Sequence, residues 1–84
     1  MKINEQVERV NSKEDLVAFI NSLAVDLKSN YESWENQNLP AYLGAMASWI
    51  EDSDGYYRNH GRPIPKEPTW RNIAEMLLAA KMYE

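Results

Sequence analysis

Two close acidic pairs and one histidine are the side chains in this sequence that could carry acid–base chemistry. The pairs are Glu32 with Glu35 and Glu51 with Asp52, and the histidine is His60. A general acid or base needs an apolar pocket or a charged neighbour that adjusts its pKa, and the sequence does not place one beside these groups. A metal site at His60 would need further histidine or cysteine ligands, which the chain lacks. We therefore interpret these groups as solvated or locally bonded and predict that the protein is not an enzyme.

The Asp-Ser-Asp-Gly segment at residues 52–55 is similar to the middle of a calcium-binding loop, but the positions around it do not fit. Aligning Gly55 with the glycine of such a loop puts Ile50 at the first ligand position and Gly61 at the twelfth. Those two positions need a carboxylate and a glutamate. The sequence also lacks a glycine-rich phosphate loop and a Gly-x-Ser-x-Gly nucleophile turn. We expect neither a metal nor another cofactor.

The distribution of charge favours a basic protein as the partner. Residues 14–54 hold eight acids and one base, a net charge of −7, whereas residues 55–84 hold five bases and three acids. A negative field repels nucleic-acid backbones and anionic membranes, and it attracts basic proteins. We therefore predict that the chain binds neither nucleic acid nor a membrane. An acidic surface that only keeps the protein soluble is an alternative that the sequence leaves open.

A stretch rich in glycine and proline at residues 55–68 is the second feature that indicates a binding surface. It contains two glycines and three prolines, and it predicts a long loop instead of a regular helix. Tyr56, Tyr57 and Arg58 lie in this stretch. Tyrosine and arginine are frequent at the energetic centres of interfaces, and rigid prolines lower the cost of ordering a loop on binding. The alternative is that these side chains pack over the ends of helices.

Three amphipathic segments predict the elements that must position these side chains. Apolar residues recur at helical spacing over residues 13–29, 39–52 and 69–83. The second helix is expected to stop at residues 53–55, where serine, aspartate and glycine follow one another. None of the three apolar faces can be buried alone, so the sequence predicts an all-α, three-helix domain.

Individual residues predict the helix starts and the core. Ser12, Asn38 and Thr69 have side chains suited to cap the N-termini of the three helices. The apolar stripe of the second helix is predicted to face the core and consists of Leu39, Tyr42, Leu43, Met46, Trp49 and Ile50. Core positions are likewise predicted for the three tryptophans, Trp34, Trp49 and Trp70.

Length and composition predict a single domain that spans residues 1–84. The chain has 84 residues, of which 44% are apolar, so it can bury a modest core. It has no cysteine, no signal-peptide pattern at the N-terminus and no apolar run of about 18 residues, and we expect a cytoplasmic protein. The first eleven residues, which include Val7 and Val10, could form a short helix or an extended arm.

A set of residues spread over most of the chain, from about residue 7 to the end, carries a resemblance. Its most specific parts are Trp34-Glu35-Asn36 and the Ala-Ala-x-x-Tyr-Glu ending. The other shared positions are Leu39, Leu43, Ala45, Trp49, Asp52, Tyr57, Pro65, Trp70, Ala74 and Leu77. This pattern resembles an uncharacterised family of short bacterial proteins. The chain is also similar in size and acidity to immunity proteins of bacterial toxin systems, including contact-dependent growth inhibition. Those proteins bind and neutralise a toxin domain.

Charge and resemblance together lead to the hypothesis of an immunity protein that neutralises a toxin by direct association. Many toxin domains are nucleases with basic substrate channels, toward which an acidic protein is steered by electrostatic attraction. The residues predicted to contact the toxin are Glu32, Glu35, Glu51, Asp52, Asp54, Tyr56, Tyr57 and Arg58. The alternative is a cytoplasmic adaptor or regulatory subunit that binds a host protein, with no toxin involved. A small enzyme and a homo-oligomeric structural role are further alternatives, and the oligomeric state is not predicted.

Overall fold

The computed structural model describes residues 2–83, which form helices joined by turns and contain no strand. The four α-helices are α1 (Ile3–Gln6), α2 (Lys13–Ser29), α3 (Leu39–Asn59) and α4 (Trp70–Met82). Short 3-10 turns follow α1 at Val7–Arg9 and α2 at Tyr31–Ser33. The predicted all-α class is confirmed, although Met1 and Glu84 lie outside the described residues. None of the helices in the described part of the chain is both long and apolar enough to cross a membrane.

The three long helices begin where the capping residues predict. The Ser12 hydroxyl accepts a hydrogen bond from the backbone N–H of Asp15 at 3.1 Å, which satisfies an otherwise unpaired donor in the first turn of α2. Asn38 caps α3 in the same way. At α4 the cap is reciprocal, because Thr69 and Asn72 each accept a hydrogen bond from the other's backbone N–H. Helix α2 coincides with the predicted residues 13–29, and α4 differs from its predicted bounds by one residue at each end.

Helix α3 is longer than predicted, and its end at residue 51 or 52 is a wrong prediction. The helix ends at Asn59, and Gly61 follows with a φ of +64°. Two backbone hydrogen bonds close the end: the N–H of Arg62 donates to the Tyr57 carbonyl at 2.8 Å, and the N–H of Gly61 donates to the Arg58 carbonyl at 3.1 Å. This pattern is a Schellman motif, which requires a left-handed residue that glycine adopts without strain. The connection to α4 is therefore residues 60–69 and not residues 55–68.

Burial of Tyr57 explains why α3 continues through Gly55. A glycine inside a helix costs about 1 kcal/mol relative to alanine. The side chain of Tyr57, two residues later, is only 4% exposed. Burying a large side chain contributes about 2 kcal/mol or more, which outweighs the cost of the glycine. The sequence signal for the true end is Gly61 with Pro63 two residues beyond it, since proline often follows a glycine-terminated helix.

Helix α4 is the central element of the domain. It packs against both α2 and α3, whereas α2 and α3 make little direct contact with each other over residues 2–83. The buried core between the N-terminal segment, α2 and α4 consists of Val7, Val10, Leu16, Phe19, Leu23, Trp34 and Ala74. Further buried side chains come from α3 and α4, namely Ala45, Trp49, Tyr57 and Ala80. Because α2 and α3 do not close on each other, each keeps part of its surface uncovered.

The N-terminal segment is a short helix that docks on the core. Helix α1 and the 3-10 turn after it contact α2 and α4, and Val7 and Val10 are both buried. The choice between a short helix and an extended arm, which the sequence leaves open, is thus settled in favour of the helix.

The prediction that all three tryptophans lie in the core is wrong for one of them. Trp34 and Trp49 are buried as predicted, but Trp70 is exposed. Trp70 is the first residue of α4 and lies at the edge of a concavity lined by the proline-rich connection. It therefore lies beyond the region where α4 packs between its neighbours.

A cluster of Asp26, Trp34 and Lys81 joins three parts of the chain. One carboxylate oxygen of Asp26 accepts hydrogen bonds from the Trp34 indole N–H at 2.8 Å and from the Lys81 ammonium at 2.9 Å. The Lys81 ammonium also lies 5.5 Å from the centre of the Trp34 ring. The side chains of Lys81 and Asp26 are 11% and 15% exposed, so this ion pair is largely shielded from water. The cluster fixes α2, the α2–α3 connection and α4 relative to one another.

Hydrogen bonds outweigh burial in setting the charge of Asp26. Burial raises the pKa of the Asp26 carboxyl, but hydrogen bonds from Lys81, Trp34 and Asn30 lower it, together with the positive charge of Lys81. The resulting pKa lies below the ordinary value of 3.8. The carboxylate is therefore charged at neutral pH, and its charge is part of what holds the cluster together.

Asn36 fastens the same connection to the end of α4. Its side-chain amide donates to the carbonyls of Ala80 at 3.0 Å and Tyr83 at 2.8 Å, and its backbone N–H donates to the Lys81 carbonyl at 3.1 Å. These bonds satisfy carbonyls that the end of a helix leaves unpaired. The Trp34-Glu35-Asn36 triplet thus has a structural role in two of its three members.

Replacing Lys81 with methionine tests the contribution of the cluster to stability. The Lys81→Met variant keeps an apolar chain of similar length but leaves the Asp26 carboxylate largely buried without its cation. We expect the free energy of unfolding to fall by about 2–3 kcal/mol and the melting temperature by roughly 10 °C. Lys66→Met, at an exposed position of the α3–α4 connection, is the matched control and should change stability by less than about 0.5 kcal/mol. Equal stability of the two variants would contradict this role of the ion pair.

The pH dependence of stability tests the charge on Asp26. Because the pKa of Asp26 is lower in the folded protein than its ordinary value of 3.8, the carboxylate stabilises the fold above that pH, and this contribution is lost as the pH falls through the folded pKa. The unfolding free energy of the wild type, measured against that of Asp26→Asn by urea denaturation, should converge on that of the variant between about pH 5 and pH 2. A constant difference over that range would show that the Asp26 charge does not stabilise the fold.

Candidate protein-binding surface

Two of the predicted acids lie on the connection between α2 and α3. Glu32 belongs to the 3-10 turn at Tyr31–Ser33, and Glu35 follows the buried Trp34. Both glutamates are exposed. Because Trp34 turns inward and Asn36 is bonded to α4, the glutamate between them is held on the outside of a fixed segment.

The other three predicted acids lie on the second half of α3. Glu51, Asp52 and Asp54 are all exposed. Asp52 accepts a hydrogen bond from the Tyr83 hydroxyl, and this bond raises the pKa of that hydroxyl. Within residues 2–83, neither Glu51 nor Asp54 takes part in an ion pair. Residues 29–57 contain five acids and no base, so this segment carries a net negative charge.

An exposed apolar stripe precedes these acids on α3. Leu39, Leu43 and Ile50 are 66%, 52% and 43% exposed. Their spacing of four and seven residues places them on one side of the helix, and Asp54 follows Ile50 by a further four. Apolar side chains and a carboxylate therefore share one face of α3.

The outward position of this stripe corrects the predicted core. The sequence predicts that Leu39, Leu43 and Ile50 face inward, whereas α3 turns a different set of residues toward α4. Ala45 and Trp49 are buried, and Tyr42 and Met46 are half-buried. The helix has more apolar surface than a single neighbouring helix covers, so part of that surface stays in contact with water.

The predicted aromatic loop is the last part of a helix, and its members point in different directions. Tyr57 is buried against α4, and its ring is therefore not offered to a partner. Tyr56 is half-buried, with its ring centre 5.7 Å from that of Trp49 and 4.4 Å from that of His60. Arg58 is exposed. The structure thus brings Tyr56 and Arg58, but not Tyr57, to the surface at the end of α3.

A polar network explains why Tyr57 turns inward. Its hydroxyl lies 3.3 Å from a carboxylate oxygen of Glu75 and 3.2 Å from the side-chain amide of Asn72. The other Glu75 oxygen lies 3.2 Å from the Arg62 guanidinium. Burial raises the pKa of the Tyr57 hydroxyl and the Glu75 charge raises it further, while the hydrogen bond to Glu75 raises the pKa of Arg62. The sequence gives little warning of this network, because its members are separated by up to eighteen positions.

His60 is bonded locally. Its Nδ1 atom lies 2.8 Å from the carbonyl oxygen of Tyr56, four residues earlier, and the residue is exposed. Among the described residues, no three His, Asp or Glu side chains come close enough together to hold a metal ion. His60 is therefore the C-cap residue of α3.

The main feature that sequence reasoning missed is an apolar groove between α2 and α3. Its volume is about 360 Å³, and its surface is almost entirely apolar. The lining residues are Ile20, Leu23, Ala24 and Leu27 from α2, Trp34, Asn36, Gln37 and Asn38 from the connection, Leu39 and Tyr42 from α3, and Leu77 from α4. The groove exists because α2 and α3 both pack on α4 without closing on each other. No spacing in the sequence indicates this gap, since it depends on the angles between helices.

Fixed aromatic side chains form the base of the groove. The Tyr42 hydroxyl donates to the Leu77 carbonyl at 2.7 Å, and burial raises the pKa of that hydroxyl. The rings of Tyr42 and Trp34 lie 5.8 Å apart, and Trp34 is held by Asp26. The groove is therefore preformed and does not depend on a loop that must rearrange.

Two other concavities are larger but chemically mixed. One, of about 980 Å³, lies between α1 and α2, and the other, of about 950 Å³, lies beside the proline-rich connection and Trp70. Both combine charged, amide and apolar side chains. The second contains Arg71, whose Nε atom is buried without a hydrogen-bond partner in the described structure. Neither concavity joins an apolar surface to the predicted acids.

Comparison with known proteins places the chain in a family. Neither the curated proteins nor the solved structures include a significant match to it. Residues 12–84, which include α2, α3 and α4, match the model of a family described as "Family of unknown function (DUF7660)". Because this match covers most of the chain, the protein belongs to the DUF7660 family.

Proposed function

We propose that this protein binds another protein and that its partner is a bacterial toxin domain, which it neutralises as an immunity protein. The observation that carries the proposal is the face of α3 on which exposed apolar residues lie next to acids. Leu43 and Ile50 supply the apolar part, and Glu51 and Asp54 supply the charge. The proposed site is therefore on a rigid helix and not on a flexible loop.

The apolar stripe supports binding to a protein surface. Monomeric proteins seldom place several large apolar side chains together on their surface unless that surface contacts something else. Interfaces are built around such a centre, and a polar rim surrounds it. Leu43 and Ile50 correspond to the centre, and Glu51 and Asp54 correspond to the rim.

The charge supports a basic partner. Five acids without an intervening base at residues 29–57 produce a negative potential that speeds association with a positive surface. A nuclease toxin has such a surface, because its substrate is a polyanion. By covering that surface in the cytoplasm, the protein would exclude the nucleic acid from the toxin without any chemical step.

The residues predicted from the sequence do not all belong to the proposed surface. Glu51 and Asp54 form the centre of the acidic part, and Glu32 and Glu35 on the connection add to the charge. Asp52 is on the other side of α3 and is hydrogen-bonded to Tyr83, so it is left out of the proposed surface. Tyr56 and Arg58 are at the edge of the proposed surface, and Tyr57 is removed from it because its side chain is buried.

Charge reversal tests the acidic part of the surface. The toxin domain encoded next to this gene would be produced with the wild type, with Glu51→Lys/Asp54→Lys, or with Glu8→Lys/Glu67→Lys as a control at exposed positions elsewhere. Both pairs change the net charge by the same amount, so only the position differs. At low salt we expect the first pair to slow association by at least about tenfold and to abolish rescue of growth, with the control close to wild type.

The results distinguish the proposal from its alternatives. Equal effects of the two variant pairs would show that charge acts without a defined surface. If the toxin were not neutralised, while the protein copurified with the same host protein in cells without a toxin gene, the function would be that of an adaptor or regulatory subunit.

The apolar centre is tested by a neutral substitution. Leu43→Gln should lower toxin affinity by about 1–2 kcal/mol, or roughly tenfold, mainly through faster dissociation. Val17→Gln, a matched change at an exposed position of α2, should leave affinity within about twofold of the wild type. Surface plasmon resonance measurements at two salt concentrations would separate the loss of apolar contact from the effect of charge. Equal affinities of the two variants would contradict the assignment of α3.

A further inference from the structure

We infer that the apolar groove between α2 and α3 binds an amphipathic helix of the partner whose polar face is basic. This inference rests on the proposed function, because it assigns the groove to the same basic protein partner. It adds a second contact site and states the kind of element that occupies it.

The shape and chemistry of the groove fit a helix that inserts apolar side chains. The groove has a volume of about 360 Å³ and lies between helices α2 and α3. Its surface is almost free of polar atoms. A helix that binds in such a groove anchors itself through side chains spaced three or four residues apart. Ile20 on α2 and Leu39 on α3 are exposed at opposite walls, where they can contact both sides of the inserted row.

The rigidity of the groove favours binding. Hydrogen bonds to Asp26 and to the Leu77 carbonyl hold Trp34 and Tyr42 in place. A surface that is already ordered loses little conformational entropy when it is occupied. The occupant therefore has to order only its own segment.

The charges around the groove indicate a basic occupant. Glu32 and Glu35 lie on the connection that closes one end, and Lys28 at the end of α2 is the one nearby exposed base within the described residues. Lys81 is paired with Asp26. A second copy of this chain, with a net charge of −4, would bring like charges together at this place. A helix with lysine or arginine on its outer face would instead be attracted.

The groove continues toward the face of α3 assigned to the toxin. Leu39 lines the groove and also begins the exposed stripe of Leu43 and Ile50. One partner can therefore contact the groove with a helix and the outer face of α3 with an adjoining surface.

The probe that tests this inference is an 18-residue helical peptide with leucine at one face and lysine elsewhere. A second peptide has glutamine in place of every lysine. Binding to the full chain is measured by titration calorimetry and by tryptophan emission in a Trp49→Phe/Trp70→Phe background, which leaves Trp34 in the groove as the emitter. We expect the lysine peptide to bind at least about tenfold more tightly than the glutamine peptide at low salt, with this preference reduced at high salt.

Neutral substitutions locate the site of binding. Ile20→Gln and Leu39→Gln should each weaken the lysine peptide by at least about tenfold. Val25→Gln is the control, because Val25 is exposed on α2 but does not line the groove. All three positions are exposed, and thermal melting verifies that each variant is folded. Unchanged binding by both groove variants, or no binding by the wild type, would overturn the inference.

Further outcomes would show that something other than a basic helix occupies the groove, or would separate this inference from the proposed function. A dimer in sedimentation that Leu39→Gln dissociates would assign the groove to a second copy and overturn the inference. If the groove variants bind the toxin domain as tightly as wild type, the inference fails and the immunity function stands. If the peptide binds in the groove but the toxin is not neutralised, the inference is supported and the immunity function fails.

Discussion

The carboxylate of Asp26 accepts hydrogen bonds from Trp34 and Lys81, and this contact fixes α2 and α4 relative to the connection that leads into α3. It joins α2 to the C-terminal half of α4 and draws the start of the α2–α3 connection into the core. Asn36 then ties the connection to the end of α4. Such a charged group is stable out of water only while its partners are in place, so breaking the contact would leave the Asp26 carboxylate largely buried and unpaired.

The groove and the exposed stripe are consequences of that arrangement. Because α2 and α3 both pack on α4 but make little contact with each other, part of each outer helix stays in contact with water. The side left open between them is apolar, and Trp34 and Tyr42 keep it from collapsing. The acids lie outside the core on the connection and on α3, where hydration makes their charge inexpensive. Apolar and acidic surfaces therefore adjoin each other without weakening the fold.

Sequence reasoning was successful where the structure depends on neighbouring residues. The caps at Ser12, Asn38 and Thr69 each act over three positions, and they locate the helix starts. The predicted end of α3 is wrong because the sequence has two glycines, Gly55 and Gly61, at which the helix could stop. Gly55 is tolerated within the helix since Tyr57 beyond it is buried, and only Gly61 adopts the left-handed conformation that ends the helix. That choice depends on contacts with α4, which no local pattern contains.

The candidate site was predictable only in part for the same reason. Charge can be read directly from the sequence, and Glu51 and Asp54 are indeed exposed on one helix. Periodicity shows that Leu39, Leu43 and Ile50 share a side of α3, but it does not show whether another helix covers that side. The groove is a property of three helices together, and the inward turn of Tyr57 follows from Asn72 and Glu75, which are distant in sequence. These features required the tertiary structure.

The proposed binding face is tested most directly by a methyl NMR spectrum of the protein with and without the toxin domain. Selective labelling of isoleucine and leucine methyl groups would report on the α3 face through Leu43 and Ile50, and on the N-terminal helix α1, which packs on α2, through Ile3. We expect the signals of Leu43 and Ile50 to shift or broaden on binding while that of Ile3 stays unchanged. Binding that perturbs Ile3 and leaves Leu43 and Ile50 unaffected would contradict the assignment of this face.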